Sequence, residues 1–363
     1  MVYLDYNASA PMHEEVVDAM TEALRVVGNP SSVHEYGRVA RRLVEEARAE
    51  VAALVAAAPE EIVFTSGGTE ANNIALAAGQ GHRVLVLAIE HDSVLNAAPE
   101  AERIAVGGDG VIDVLRLSEM LAEDETPALV SVMLANNETG VIQPVLEAAS
   151  LAHGVGALMH SDGVQSAGRT ALDMRALGID MLSLSAHKMG GPKGIGALVI
   201  REGVEPPRLI RGGGQEKGRR GGTENVAAIV GFGVAARLAR EGLDRIHQVV
   251  ELRDGLEARV RREAPEAVVF GADAPRLANT SCLAVPGIKA ETQVMALDLA
   301  GVAVSSGSAC SSGKIGTSHV LAAMGVEPAL AECAIRVSLG RESVAVDVDR
   351  FIEAWGALVR RAA

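Results

Sequence analysis

Lys188 closes the tetrapeptide Ser185-Ala186-His187-Lys188, at the end of an apolar run and just ahead of Gly190-Gly191-Pro192. The chain uses lysine sparingly: of its 33 basic residues only Lys188, Lys193, Lys217, Lys289 and Lys314 are lysines. A lysine amine condenses with an aldehyde to a Schiff base, and an arginine cannot. At a strand end this amine has a chemical reading, the anchor of a pyridoxal phosphate (PLP) group, beside the plain one of a surface charge.

An anchored pyridine aldehyde works as an electron sink only with a carboxylate against its ring nitrogen. Asp162, in Ser161-Asp162-Gly163-Val164-Gln165, follows the apolar stretch 156–160 and suits that place; it is also placed to cap a following helix. Upstream, Thr65-Ser66-Gly67-Gly68-Thr69-Glu70 joins a strand-like run to a helical one. Gly67 and Gly68 permit a tight turn there. Thr69 then caps the helix or offers its N–H and hydroxyl to an anion such as phosphate. The segment is neither a Gly-Lys-Ser/Thr phosphate loop nor a GxGxxG fingerprint.

His91, in Ile89-Glu90-His91-Asp92-Ser93, also comes just after an apolar run. An imidazole can lie on a pyridine ring and move protons near neutral pH, or be an ordinary loop histidine. Asn137, in Asn136-Asn137-Glu138-Thr139-Gly140, offers an amide to a ligand oxygen within what is also common turn chemistry. Residues 212–223 combine glycines, basic side chains and a terminal Thr223. That mixture suits gripping a phosphate, bridging subunits or simple hinging. Arg336 sits among apolar neighbours in Ala334-Ile335-Arg336-Val337, where a guanidinium needs a partner: a substrate carboxylate or an internal salt bridge.

The three cysteines are isolated singles, neither a disulfide framework nor a metal set, and the expectation is a reducing cytoplasm. Cys282 and Cys333 lie in apolar surroundings. Cys310 lies in Ser305-Ser306-Gly307-Ser308-Ala309-Cys310-Ser311-Ser312-Gly313, a wet, pliant setting that suits a nucleophilic thiol.

Short apolar runs at 61–64, 83–87, 128–133, 156–160, 180–184 and 196–200 carry these residues at their ends. Without alternation they read as strands buried on both faces, hence a mostly parallel sheet. Helical patterns at 69–78 and 144–153 lie between them, giving an open, doubly wound α/β unit. In such sheets ligands bind at the carboxyl ends of the strands. Beyond about Gly231 a long helical stretch (225–263), strand-like pieces at 267–270, 280–285 and 334–339, and two further helices read as a smaller α+β unit. The expected boundaries are 12–250 for the large unit, with 1–11 and 251–363 forming the small one.

With 363 residues the chain can bury a sizeable core, built from Val, Leu, Ile and Ala because it holds only one Trp, three Tyr and four Phe. A net charge of -14 argues against nucleic acid or an anionic membrane as main partner. No apolar run is long enough to span a bilayer, and the N-terminal residues lack the features of a signal peptide.

In this order the motifs resemble the cysteine desulfurases, the NifS-like group in the class-V aminotransferase branch of PLP fold type I. The likeness runs from Tyr3-Leu4-Asp5-Tyr6 to Ile335-Arg336 and includes Asn29-Pro30-Ser31-Ser32 with His34, Glu90-His91, and Asn136 to Gln143. It implies a large PLP-binding domain with a seven-stranded type of sheet, and a small domain carrying a mobile cysteine loop at about 303–318. Lys188 would hold the PLP aldehyde and later move the α-proton. Asp162 would pair with the ring nitrogen, Gln165 with the phenolic oxygen, and His91 would stack on the ring. Gly68, Thr69, Ser185 and His187 would hold the phosphate, with Thr223 arriving from a second subunit of a homodimer. Arg336 and Asn137 would bind the carboxylate of L-cysteine, and Cys310 would take its sulfur as a persulfide, releasing alanine.

The resemblance further implies a sulfur acceptor such as an iron–sulfur scaffold protein. A selenocysteine lyase or cysteine-sulfinate lyase would share the PLP contacts, and need for Cys310 would distinguish it. Two departures bear on delivery. The chain ends at Ala363, soon after the last expected helix, where many relatives extend into a scaffold-docking tail. It also reads Gly313-Lys314-Ile315-Gly316-Thr317-Ser318-His319 where relatives often carry an acidic residue and proline.

Overall fold

The computed structural model describes residues 1–124, 126–307 and 318–362. The expected apolar runs become β2 (Ile62–Thr65), β3 (Arg83–Leu87), β5 (Ala128–Ser131), β6 (Leu158–Asp162), β7 (Met181–Ser185) and β8 (Gly196–Ile200), after a short β1 (Val2–Tyr3). β4 (Glu102–Ile104), too short and polar to stand out, adds an edge. The seven strands form one sheet in the order β2-β8-β7-β6-β5-β3-β4. β8 runs antiparallel to both neighbours and the other pairings are parallel, so β2, β3, β5, β6 and β7 all end on one edge.

Alternate residues along a strand point to opposite faces, and both faces are apolar here. Ile62, Phe64, Leu85 and Leu87 join a core with the helices Glu35–Leu54 and Val226–Glu241. Val63, Val86 and Leu198 join Ala71, Ile74 and Ala75 of the helix Gly68–Ala77 on the other side. This is the expected α/β architecture with helices on both faces of a mostly parallel sheet.

The C-terminal part adds β9 (Val268–Phe270), β10 (Thr280–Ala284), β11 (Val302–Ala303), β12 (Ser305–Ser306) and β13 (Ala334–Ser338). Four of these form an antiparallel sheet, β12-β13-β10-β9, while β1 pairs in parallel with β11 and so draws the N-terminus into this region. A second core lies here, where Val2 and Leu4 meet Leu256, Val260, Ile335, Phe351 and Trp355. The stretch 225–263 is not one helix: Val226–Glu241 and Ile246–Glu263 are separated by a 3-10 turn, Gly242–Arg245, at the helix-weakening Gly242. Among the described residues no helix is long and apolar enough to cross a membrane. None of them cluster as a metal-ligand set of His, Cys, Asp and Glu.

Candidate active site

The shared edge of the parallel strands opens into a cavity lined by Gly68, Thr69, His91, Asn137, Asp162, Gln165, Ser185, His187 and Lys188, together with Asn72, Ser93 and Val164. Nine residues singled out in the sequence therefore meet in one place. β2 and β7 bring the Gly68 turn beside Ser185, β3 leads to His91, β5 to Asn137 and β6 to Asp162.

One end of the cavity is built for an anion. The helix Gly68–Ala77 begins here, and its first N–H groups have no intrahelical acceptor. The cap is Gly67, not Thr69 as expected: Thr65 Oγ1 donates to the Gly67 carbonyl at 2.9 Å, and Thr69 lies inside the first turn. A Cβ at Gly68 would stand 2.8 Å from Val164 Cγ2, so a larger residue there would have to displace that side chain. His187 adds an imidazole whose pKa falls to about 4, through burial first and then Lys188, Lys193 and Arg169.

Asp162 is 6 % exposed, at the end of β6. Its Oδ1 accepts from Val164 N at 2.9 Å and its Oδ2 from Asn72 Nδ2 at 2.7 Å, so it does not cap a helix. Fully buried Glu90 lies nearby. Burial, and next the charge of Asp162, push its pKa well up, and its Oε1 accepts from Met133 N at 2.5 Å. His91 caps the short helix Asp92–Leu95, with Nδ1 2.8 Å from Ser93 Oγ and accepting from Ser93 N at 3.1 Å.

Lys188 lies in a 3-10 turn, Ala186–Lys188, directly after β7. Its Nζ donates to the carbonyls of Asn7 at 2.5 Å and Ala8 at 3.0 Å. The N-terminal segment thus closes one side of the cavity. Asn7 is its hub: Nδ2 donates to Asn137 O at 3.1 Å and Thr280 Oγ1 at 2.9 Å, and Asn7 O also accepts from Gln165 Nε2 at 3.1 Å. Gln165 Oε1 accepts from Arg169, which orients the amide.

Arg169 is an unexpected member of the site. Its guanidinium donates to Asn7 Oδ1 at 2.9 Å, Tyr6 O at 3.1 Å and Lys188 O at 3.3 Å, and none of its partners among the described residues is a carboxylate. Burial, then the charge of Arg336, lower its pKa to about 9. Neither Asn7 nor Arg169 carries a local motif. Asn72 had a readable signal, because it lies one helical turn after Gly68 and so on the same face.

Arg336, 1 % exposed on β13, donates to Asn137 O at 3.0 Å and pairs with Asp5 Oδ1 at 2.9 Å. Of its two sequence readings, the internal ion pair is the contact present here. Its Nε, buried, has no hydrogen-bond partner among the described residues. Thr223 is exposed and does not line the cavity of its own chain. Cys310 lies outside the described residues. Cys282 and Cys333 are buried, and burial pushes the Cys282 thiol far up, as befits packing cysteines.

A primary amine facing a carboxylate-bearing wall, with an anion seat at one end, is an arrangement for a phosphorylated aldehyde. The family model of aminotransferase class-V matches residues 2–351, and the chain belongs to that PLP-dependent family. It is 46% identical to the "Cysteine desulfurase" of Cereibacter sphaeroides, over 97% of this chain and 94% of that protein. It is 40% identical to the "IscS-like cysteine desulfurase" of Mycobacterium tuberculosis, over 100% of this chain and 97% of that one. Among solved structures, a NifS-like protein from Rickettsia africae superposes with a TM-score of 0.93 at 35% identity, covering 99% of both chains. SspA in complex with cysteine superposes with a TM-score of 0.82 at 30% identity, over 95% of this chain and 100% of that one. Within the class-V family the chain is a member of the cysteine desulfurase group, as its motifs indicate.

Proposed function

We propose that this protein is a PLP-dependent desulfurase of L-cysteine that works as a homodimer and passes sulfur on from Cys310. The observation that carries this reading is the meeting of Lys188, Asp162 and the Gly68–Ala77 helix start around one cavity. The donor set fits PLP. The free N–H groups at the Gly68 helix start would seat a phosphate, with Thr69, Ser185 and His187 around it. With PLP bound, Asp162 would pair with the ring nitrogen, Gln165 with the phenolic oxygen, and His91 would lie on the ring face. Bound PLP supplies an electron sink for charge developing on a substrate carbon.

The chain's own groups do the rest. Lys188 would hold the aldehyde of bound PLP, and its Nζ would hold and move the α-proton of the substrate. The carbonyls of Asn7 and Ala8 orient that nitrogen. Arg336 and Asn137 receive the substrate carboxylate, a pairing for which the Arg336 fork is suited. The Cys310 thiolate attacks the substrate sulfur. An S–S bond forms, the C–S bond breaks with its electron pair left on carbon, and protons complete alanine. Cysteine and enzyme thiol thus become alanine and enzyme persulfide, with no outside oxidant.

The dimer is supported by Thr223, which is exposed, does not line the cavity of its own chain and suits the phosphate of a partner. It is supported also by Leu24, Val27, Val33 and Tyr36, an exposed apolar series that a second copy would cover. An iron–sulfur scaffold is the acceptor this chemistry suits. The test is incubation of the purified protein with L-cysteine, scoring alanine and protein-bound persulfide. Borohydride should fix a pyridoxyl group on Lys188, and Cys310→Ala should keep the bound-cofactor absorption yet stop alanine release. Colourless protein with no borohydride adduct would refute the reading, and so would unimpaired alanine release by the Cys310 variant.

A further inference from the structure

Between Asp162 and His91 runs a hydrogen-bond chain in which every donor has only one consistent assignment. Asn72, 1 % exposed on the Gly68–Ala77 helix, has two amide protons. Nδ2 lies 2.7 Å from Asp162 Oδ2 and 2.8 Å from Ser93 Oγ. A carboxylate accepts and does not donate, so the amide cannot be turned round: Oδ1 against Oδ2 would set two acceptors face to face. The cost is visible, since the buried Asn72 Oδ1 has no partner among the described residues.

With one Asn72 proton already directed at its oxygen, the Ser93 hydroxyl sends its own proton to the neighbour at 2.8 Å, His91 Nδ1. The backbone N–H of Ser93 points at the same nitrogen from 3.1 Å. Nδ1 is therefore an acceptor, and Nε2 carries the ring proton.

We propose that Asn72 is a positioning residue for the desulfuration, transmitting the orientation of the Asp162 carboxylate through the Ser93 hydroxyl to His91 Nδ1 and so, together with the Ser93 backbone N–H, holding His91 as its Nε2–H tautomer. This rests on the reading above that Asp162 and His91 both face the PLP ring. The consequence for the reaction is that His91 meets the bound reactants as a hydrogen-bond donor from Nε2, while Asp162 keeps one oxygen free of the amide. One side chain so ties the group at the ring nitrogen to the group at the ring face.

The experiment is long-range 15N–1H correlation on 15N-histidine-labelled protein as purified, with the His91 signals assigned by their loss in His91→Gln. Wild type should show a protonated Nε2 and a bare Nδ1. In Asn72→Ala and in Ser93→Ala the Nδ1 signal should shift as the hydroxyl bond to it is weakened or lost, while the Ser93 backbone N–H still keeps the proton on Nε2. Turnover of the loaded Asn72→Ala enzyme should fall by about tenfold in kcat with KM for L-cysteine nearly unchanged, the scale of one hydrogen bond to a charged group. The bound-cofactor absorption should shift in Asn72→Ala and stay put in Ser93→Ala, because only the first variant touches Asp162.

Unchanged His91 nitrogen shifts in folded Asn72→Ala would overturn the proposal. Should that variant not fold, unchanged shifts in Ser93→Ala would do the same. Protein that binds no PLP would instead defeat the functional reading, leaving the tautomer measurement as a separate result.

Discussion

Ser318 donates its hydroxyl proton to the buried carboxyl group of Glu138, joining residues 180 positions apart. A Cβ built at Gly307 would stand 3.7 Å from the same Glu138 oxygen, Oε2. Glu138 thus lies beside both residues that flank 308–317, the stretch containing Cys310.

Burial pushes the Glu138 pKa up to about 7, against the opposing effects of Ser318 and Arg336. The folded protein keeps this proton up to about pH 7, whereas an unfolded glutamate releases it near 4.5. The stability contribution is therefore complete below about pH 4.5 and is lost as pH rises through about 7. Glu138→Gln keeps the shape and removes the titration. Urea unfolding at about pH 5 and about pH 8 should show wild type losing on the order of 2–3 kcal/mol more than the variant. Parallel losses in the two proteins would refute this.

Arg48 and Glu216 form a two-pronged buried pair, NH1 to Oε2 at 2.8 Å and NH2 to Oε1 at 2.9 Å, with each side chain almost fully buried. Glu216 Oε2 also accepts from Phe64 N at 2.8 Å, just ahead of the Gly67-Gly68 turn, and Arg48 lies over the Phe64 ring at 4.7 Å. Glu216 has φ 47°, an uncommon left-handed setting that the pair holds in place. Glu216→Ala strands a buried cation and should cost about 3–5 kcal/mol in urea unfolding. Arg48→Met with Glu216→Met should recover much of that loss. If the double variant is as unstable as the sum of the singles, the ion pair is not the cause.

Arg336→Lys should leave the bound-cofactor absorption intact and raise KM for L-cysteine by about ten- to a hundredfold, because a lysine cannot reproduce the fork. The Asp5 pair at 2.9 Å sharpens this expectation. Asp5→Asn removes the competing carboxylate and should lower KM, provided the substrate carboxylate and Asp5 share the guanidinium. Steady-state kinetics on both variants decides the matter, and a rise in KM for Asp5→Asn would count against a shared site.

The sheet and the site were readable to different depths. Buried strands such as β3 and β7 declare themselves by apolar runs, and polar residues at the ends of such runs fall on one edge, so Lys188, Asp162 and His91 could be placed together. Strand direction leaves no trace in composition, which is why the antiparallel β8 was not foreseen. The helix over 225–263 read as one because its periodicity bridges Gly242–Arg245. Thr69 looked like a cap, but the backbone turns one step earlier, at Gly67. Asn7 and Arg169 were missed for a deeper reason: Asn7 has partners at separations of up to 331 and Arg169 reaches back 163 residues to Tyr6, so no local pattern could point to them.

His160 supplies the last prediction, with a slope opposite to that of Glu138. It is fully buried on β6, its Nδ1 2.8 Å from Ser131 Oγ on β5 and its Nε2 3.1 Å from Ser183 Oγ on β7. Two hydroxyl partners satisfy a neutral ring, and burial lowers the pKa to about 4 although Asp162 pulls the other way. An unfolded histidine takes its proton near 6.5, so the contribution is full above that pH and is lost as pH falls through about 4. In histidine-labelled protein the His160 ring signals, assigned by their disappearance in His160→Asn, should stay still from about pH 7.5 down to about 5. Urea midpoints of wild type should fall over the same range more steeply than those of the variant. A His160 signal titrating near 6.5 in the folded protein would mean that the sheet interior solvates this ring, contrary to the two-serine clasp.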